Sequence, residues 1–143
     1  MTVGFQVTFD CADPGRLAKF WAEALGYQLQ DPPEGFDSWE DWLRAQNIPE
    51  EHWNMRSAVV DPDGKRPRLL FQRVPEPKSV KNRVHLDLNV GVPRDDPQSS
   101  RARVKETAAR LVDNGATLIR EAEERGEYWI VMQNPEDNEF CLQ

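Results

Sequence analysis

Basic charge is what this 143-residue chain has least of: 18 lysines and arginines stand against 25 aspartates and glutamates, a net charge of −7. A nucleic-acid partner normally needs a basic patch to meet phosphate, so none is expected. No apolar run approaches the length of a membrane span, and the opening MTVGFQVTFD lacks the basic flank and apolar stretch of a signal peptide. No membrane partner is expected, and the cytoplasm is the expected location. Cysteine is also scarce: Cys11 and Cys141 are the only two, without metal-ligand spacing, which fits reduced thiols. Hydrophobic residues at 38% and charged ones at 30% read as globular. The length suits one domain with a core, and is too short for two ordinary ones.

What is present is alternation. In Lys81–Val90 (KNRVHLDLNV), Val84, Leu86, Leu88 and Val90 fall on one side while His85, Asp87 and Asn89 fall on the other. That is the pattern of a strand with one face on a hydrophobic layer. Val3–Asp10 (VGFQVTFD) repeats it, with Val3, Phe5, Val7 and Phe9 opposite Gln6, Thr8 and Asp10. The two polar faces suggest a polar hollow lined by both strands.

After the first strand, Asp13 can cap a helix that Pro14 opens and Gly26 ends, with Leu17, Phe20, Trp21 and Ala24 as its apolar face. Residues 31–54 carry Pro32, Pro33, Gly35 and Pro49 around a short helix capped by Ser38. Phe36, Trp39, Trp42 and Trp53 crowd there, so the segment reads as an insertion folded over the domain. Trp42 is assigned to the core, Trp39 and Trp53 to a lid. Ser57–Val60 and Arg68–Val74 read as strands around an Asp63-Gly64 turn, and two prolines stiffen the linker that follows. A second helix runs from Asp96-Pro97 to Gly115 with Val104, Ala108, Leu111 and Val112 inward. Short strands then follow at Ala116–Ile119, Tyr128–Gln133 and Glu139–Gln143. LGYQL is answered by NGATL, and DPDG before LLFQ by NPEDN before EFCLQ. Each half is a β-α-β-β-β unit, so the expected fold class is α+β: module one at 1–75, module two at 81–143, in a single domain.

ALGY at a helix end, the DPDG turn, LLFQRVPEPK and KNRVHLDL together resemble the vicinal oxygen chelate superfamily, and within it the glyoxalase-like domains. That superfamily includes glyoxalase I, extradiol dioxygenases and the bleomycin- and fosfomycin-resistance proteins. The resemblance covers essentially the whole chain. It implies paired modules whose sheets curl into a barrel-like cleft, and a homodimer. Metal-dependent members resemble one another in four inward ligands. Gln6 matches the first and His85 the third; the second falls in Leu70–Gln72, where there is no acid, and the fourth at Cys141, one step from Glu139. With both carboxylates missing, no metal or other cofactor is expected. A divalent metal is the runner-up, with His85, Cys141 and Glu139 as a softer, zinc-type set.

The candidate ligand-binding residues are Gln6, Thr8, His85, Asp87, Glu139 and Cys141, with Trp39, Trp53 and Trp129 as aromatic walls. His85 is also the candidate catalytic residue. Asp87 has a structural alternative, pairing with Arg83 or an inward arginine, and Trp129 could line either face. The expected function is metal-independent binding of an aromatic or cationic small molecule. The rivals are a metal-dependent lyase, isomerase or dioxygenase, and a metal-free enzyme with His85 as general base.

Overall fold

The computed structural model describes residues Met1–Gln143. The fold is α+β and built of two repeated modules, which form two compact units, Met1–Pro77 and Lys78–Gln143. The first unit holds β1 (Val7–Cys11), α1 (Pro14–Leu25), β2 (Gln28–Leu29), α2 (Trp39–Ala45), a 3-10 helix (Glu50–Met55), β3 (Arg56–Val60) and β4 (Leu69–Arg73). Its sheet runs β1-β4-β3-β2, with β1 parallel to β4 and the other pairs antiparallel. The second unit holds β5 (Asp87–Leu88), α3 (Pro97–Asp113), β6 (Thr117–Glu124), β7 (Glu127–Gln133) and β8 (Glu139–Leu142). Its order, β5-β8-β7-β6, repeats the first, again with a parallel outer pair. Neither sheet closes on itself.

Local chemistry explains the helices. Asp13 accepts from the Arg16 amide at 3.2 Å, Pro14 takes the first position, and Gly26 ends α1 at φ 68°. Leu17, Phe20, Trp21 and Ala24 are buried, and Phe9 stacks on both Trp21 and Phe71 at 5.4 Å. One face of the first sheet is thus sealed by α1, which leaves Thr8, Asp10, Leu70 and Gln72 on the opposite face. In the second unit Asp96 caps α3, and Val104, Ala108 and Leu111 are buried.

The insertion is tied down at both ends. The Trp39 indole donates to the Gln30 carbonyl at 2.7 Å. Asn54 donates to Asp13 at 2.8 Å and accepts from the Gly15 amide at 2.8 Å.

Several expectations need correction. The first strand starts at Val7, leaving Val3 and Phe5 87% and 72% exposed, and KNRVHLDLNV is strand only at Asp87–Leu88, leaving Val84 80% exposed. The reason is the same in both units: the parallel partner begins just after a turn. β4 starts at Leu69 and β8 at Glu139, so earlier residues find no ladder within their unit. Val112 is 43% exposed, on the solvent side of α3. Trp42 is half-buried rather than core, edge-on to Trp39 at 5.7 Å and 84°. The strand expected at Ala116–Ile119 runs on to Glu124 and pairs with β7.

Candidate functional site

Each unit keeps a polar face opposite its helix, and the candidate residues divide between the two. In the first unit, parallel pairing sets Thr8 beside Leu70 and Asp10 beside Gln72. The Gln72 amide donates to Asp10 at 2.7 Å. At the other end of the face stands Arg68, half-buried, just ahead of β4. Its Nε donates to Gln30 Oε1 at 2.7 Å and its Nη1 to Gln6 Oε1 at 3.0 Å. Both acceptors are neutral amide oxygens, so neither balances the guanidinium charge. Gln30 does two jobs: its side chain holds Arg68 while its backbone carbonyl holds Trp39, which remains 37% exposed. Neither Arg68 nor Gln30 was among the residues expected from sequence. The available signal was Arg68 alternating with Leu70 and Gln72, opposite Leu69 and Phe71.

Trp53 is committed to the insertion. Its indole donates to the Ile48 carbonyl at 2.8 Å, and the Arg44 guanidinium covers its ring at 5.0 Å. Of the two expected lid residues, Trp39 is the one with open surface.

In the second unit, His85 Nε2 lies 3.2 Å from Asp87 Oδ1, two residues along one extended segment. His85, not Arg83, is therefore the partner of Asp87. The register sets Asp87 beside Cys141, and Cys141 beside Val131. Trp129, two residues from Val131, shares that face, which resolves its orientation. The ligand atoms of His85, Asp87 and Cys141 all lie within 4.8 Å of one another. Burial pushes the Cys141 thiol up, and the Asp87 carboxylate to which it hydrogen-bonds pushes it further; Lys81 and Arg120 pull the other way. Cys141 is thus no ready thiolate.

Glu139 is occupied elsewhere. Its carboxylate accepts from Lys78 Nζ at 3.3 Å and the Asn82 amide at 3.1 Å, and its own amide donates to Asn82 Oδ1 at 2.7 Å. Burial works to raise this carboxyl, but those donors outweigh it and hold it below the usual range. Its geometry is that of a clamp on the chain entering the second unit.

The four-position metal set implied by resemblance can be tested on these contacts. Gln6 Oε1 already faces a guanidinium, Gln72 is bonded to Asp10, and Glu139 is spent on Lys78 and Asn82. That set does not fit a divalent ion. The trio His85, Asp87 and Cys141 is a different donor set, of the soft, zinc-accepting type.

Two sheets of one strand order, each with a polar face opposite its helix, define a paired-module protein of the vicinal oxygen chelate type. The chain belongs to the Glyoxalase-like domain family, whose match spans residues 6–143. Among solved structures it is similar to a glyoxalase/bleomycin resistance protein/dioxygenase family enzyme from Burkholderia phytofirmans PsJN, at 17% identity and TM-score 0.61, covering 96% of this chain and 94% of that one. It is also similar to a mutant of the fosfomycin resistance protein FosX from Listeria monocytogenes, complexed with Mn(II) and 1S,2S-dihydroxypropylphosphonic acid. There the identity is 11% and the TM-score 0.63, over 100% of this chain and 90% of that one. TioX from Micromonospora sp. ML1 follows at 14% identity and TM-score 0.52, over 99% and 97%. At such identities the likeness is one of fold. No curated protein matches the chain significantly.

Proposed function

We infer that this protein binds a small aromatic molecule without a metal, in the manner of the drug-sequestering members of its superfamily. The observation that carries the reading is Trp39: a large apolar ring left exposed, yet fixed in place by its bond to the Gln30 carbonyl beside a polar row. Binding sites combine a rigid apolar wall with a few placed polar groups. Thr8 and Gln6, on the same polar face of the first unit, supply such groups. The net charge of −7 makes a cationic substituent the alternative ligand chemistry. Quenching of tryptophan fluorescence by a panel of aromatic compounds tests the reading. Saturable quenching that weakens at least about tenfold in Trp39→Ala supports it. Saturable binding unchanged by Trp39→Ala would sink it.

A second reading rests on the trio in the second unit. If a zinc-type ion is held by His85, Asp87 and Cys141, it supplies Lewis acidity toward a substrate oxygen, and the function becomes that of a metal-dependent glyoxalase-like enzyme. The chain's own contribution is to give up the Cys141 proton on loading, which makes uptake pH-dependent. Cobalt(II) titration reads this directly, since a cysteinate-to-cobalt charge-transfer band that vanishes in Cys141→Ser and His85→Ala would establish the set. Without metal, Asp87 holds the His85 ring through Nε2, and Nδ1 is left to take a substrate proton, the general-base alternative. The homodimer implied by the superfamily remains a proposal that sedimentation velocity checks.

A further inference from the structure

We propose that Arg68 is an oxyanion anchor, so that the compound held against Trp39 carries a carboxylate, phosphonate or similar group. The proposal rests on the aromatic-binding reading and deepens it. It grows from the misfit of the metal set. Gln6 stands where resemblance puts the first metal ligand, yet its Oε1 already receives an N–H from Arg68 at 3.0 Å. An ion on that oxygen would have to share it with a cation. The second ligand position, Leu70–Gln72, offers no carboxylate, and the amide of Gln72 is turned to Asp10. The first unit therefore already carries a positive charge at this place, supplied by a side chain.

The geometry favours an anion as its partner. A guanidinium has five N–H donors in a rigid fork, of which Gln30 and Gln6 take two. Those two bonds fix the plane of the fork without neutralising it, and they leave the Nη2 edge for an outside acceptor. Oxyanions accept charge-assisted hydrogen bonds from such remaining guanidinium N–H groups. The ring of Trp39 is tied to the same residue, Gln30, that orients the fork. A flat molecule with an acidic substituent meets both anchors. In a chain of net charge −7 such a ligand is repelled at long range, so a local cation is what makes its capture possible.

The test compares three probes of one shape: 2-naphthoate, 2-naphthalenemethanol and 2-naphthylmethylammonium, each titrated by fluorescence quenching and by calorimetry. The carboxylate should bind at least about tenfold tighter than the neutral alcohol. Arg68→Met should erase that preference, so that carboxylate and alcohol bind alike. Should Arg68→Met fold poorly, Gln30→Glu tests the same point. It sets a carboxylate on the intact guanidinium, keeps the backbone carbonyl that holds Trp39, and should also abolish the preference. A preference for the ammonium, or a carboxylate preference that survives both substitutions, overturns the anchor. Failure of the aromatic reading looks different, with none of the three probes quenching. In that event inorganic phosphate alone decides: a rise in Tm present in the parent and absent in Arg68→Met sustains the anchor, and no Arg68-dependent rise rejects it.

Discussion

The two units share a strand order and a turn, and differ in what they place on the polar face. In the first, two neutral glutamines hold an arginine beside an exposed tryptophan. In the second, an imidazole, a carboxylate and a thiol gather with no aromatic pinned beside them, Trp129 standing further along the sheet. The first unit also carries an insertion between β2 and β3, where the second passes straight from β6 into β7. One scaffold thus presents two donor sets, a guanidinium braced by neutral amides and a trio of imidazole, carboxylate and thiol. What is shared is sealed under the helix, and what differs lies on the open face. The fold can keep its core while its donor groups change, because the two faces of a strand are separate chemical environments.

If the sealed faces are equivalent, matched core truncations should cost the same. Phe71 on β4 and Phe140 on β8 are 0% and 1% exposed. Phe71→Ala and Phe140→Ala should each destabilise by about 3–5 kcal/mol, the range for a buried phenylalanine. Urea denaturation followed by circular dichroism measures both. A loss in only one variant, or two separate transitions, would break the comparison by showing that the units differ in stability.

The turns should separate under acid. Asp61 precedes β4 and accepts from the amides of Asp63, Lys65 and Arg66 at 3.0, 3.2 and 3.0 Å. Asn134 precedes β8 and accepts from Glu136 and Asn138 at 2.9 and 3.2 Å. The Asp63 amide, then those of Lys65 and Arg66, outweigh burial and hold the Asp61 carboxyl below 3.8. A depressed carboxyl stabilises above its unfolded value and loses that contribution as pH falls through its folded value. Asp61→Asn should therefore lower Tm at neutral pH, with the gap closing below pH 3.8. Asn134→Ala leaves two half-buried amides without acceptors and should cost about 1–3 kcal/mol, independent of pH. Thermal melts across the acid range read both. A gap for Asp61→Asn that stays constant through acid would overturn the assignment.

How much of this was legible beforehand follows from the range of each interaction. Helix caps and turns act within a few residues, so Asp13-Pro14, Gly26 and Asp63-Gly64 announced their elements directly. The pairing of His85 with Asp87 follows from two-residue alternation. Where strands begin was not legible, because Val3–Gln6 and Lys81–Leu86 alternate well but outrun the partners in their units. The approach of Cys141 to Asp87 needs the register of strands 54 positions apart. Arg68 acquires its role from glutamines 38 and 62 residues away, and no local pattern announces that.

The smallest expected effect compares the only two tyrosines, one in each unit. Tyr27 donates to the neutral Pro67 carbonyl at 3.0 Å, and burial, then the Asp61 charge, raises it above 10.0. Tyr128 donates instead to the Glu121 carboxylate at 2.8 Å, beneath the Arg101 guanidinium at 4.5 Å from its ring. Burial first, and then the Glu121 bond and charge, push Tyr128 up to about 12, while Arg101 opposes them. Because the folded value lies above the unfolded 10.0, this contribution to stability is complete below pH 10.0 and is lost as pH climbs toward about 12. In Tyr27→Phe, phenolate absorbance after a rapid pH jump should show one step near 12. Glu121→Gln should move that step down and Arg101→Met should move it up. Opposite shifts from two neighbours of one hydroxyl cannot come from general loosening of the hairpin, which would carry both toward the solvent value. If both variants move the step downward, the β6–β7 surface pair is only loosely held, and so is its contact with α3 on the helix side of the sheet.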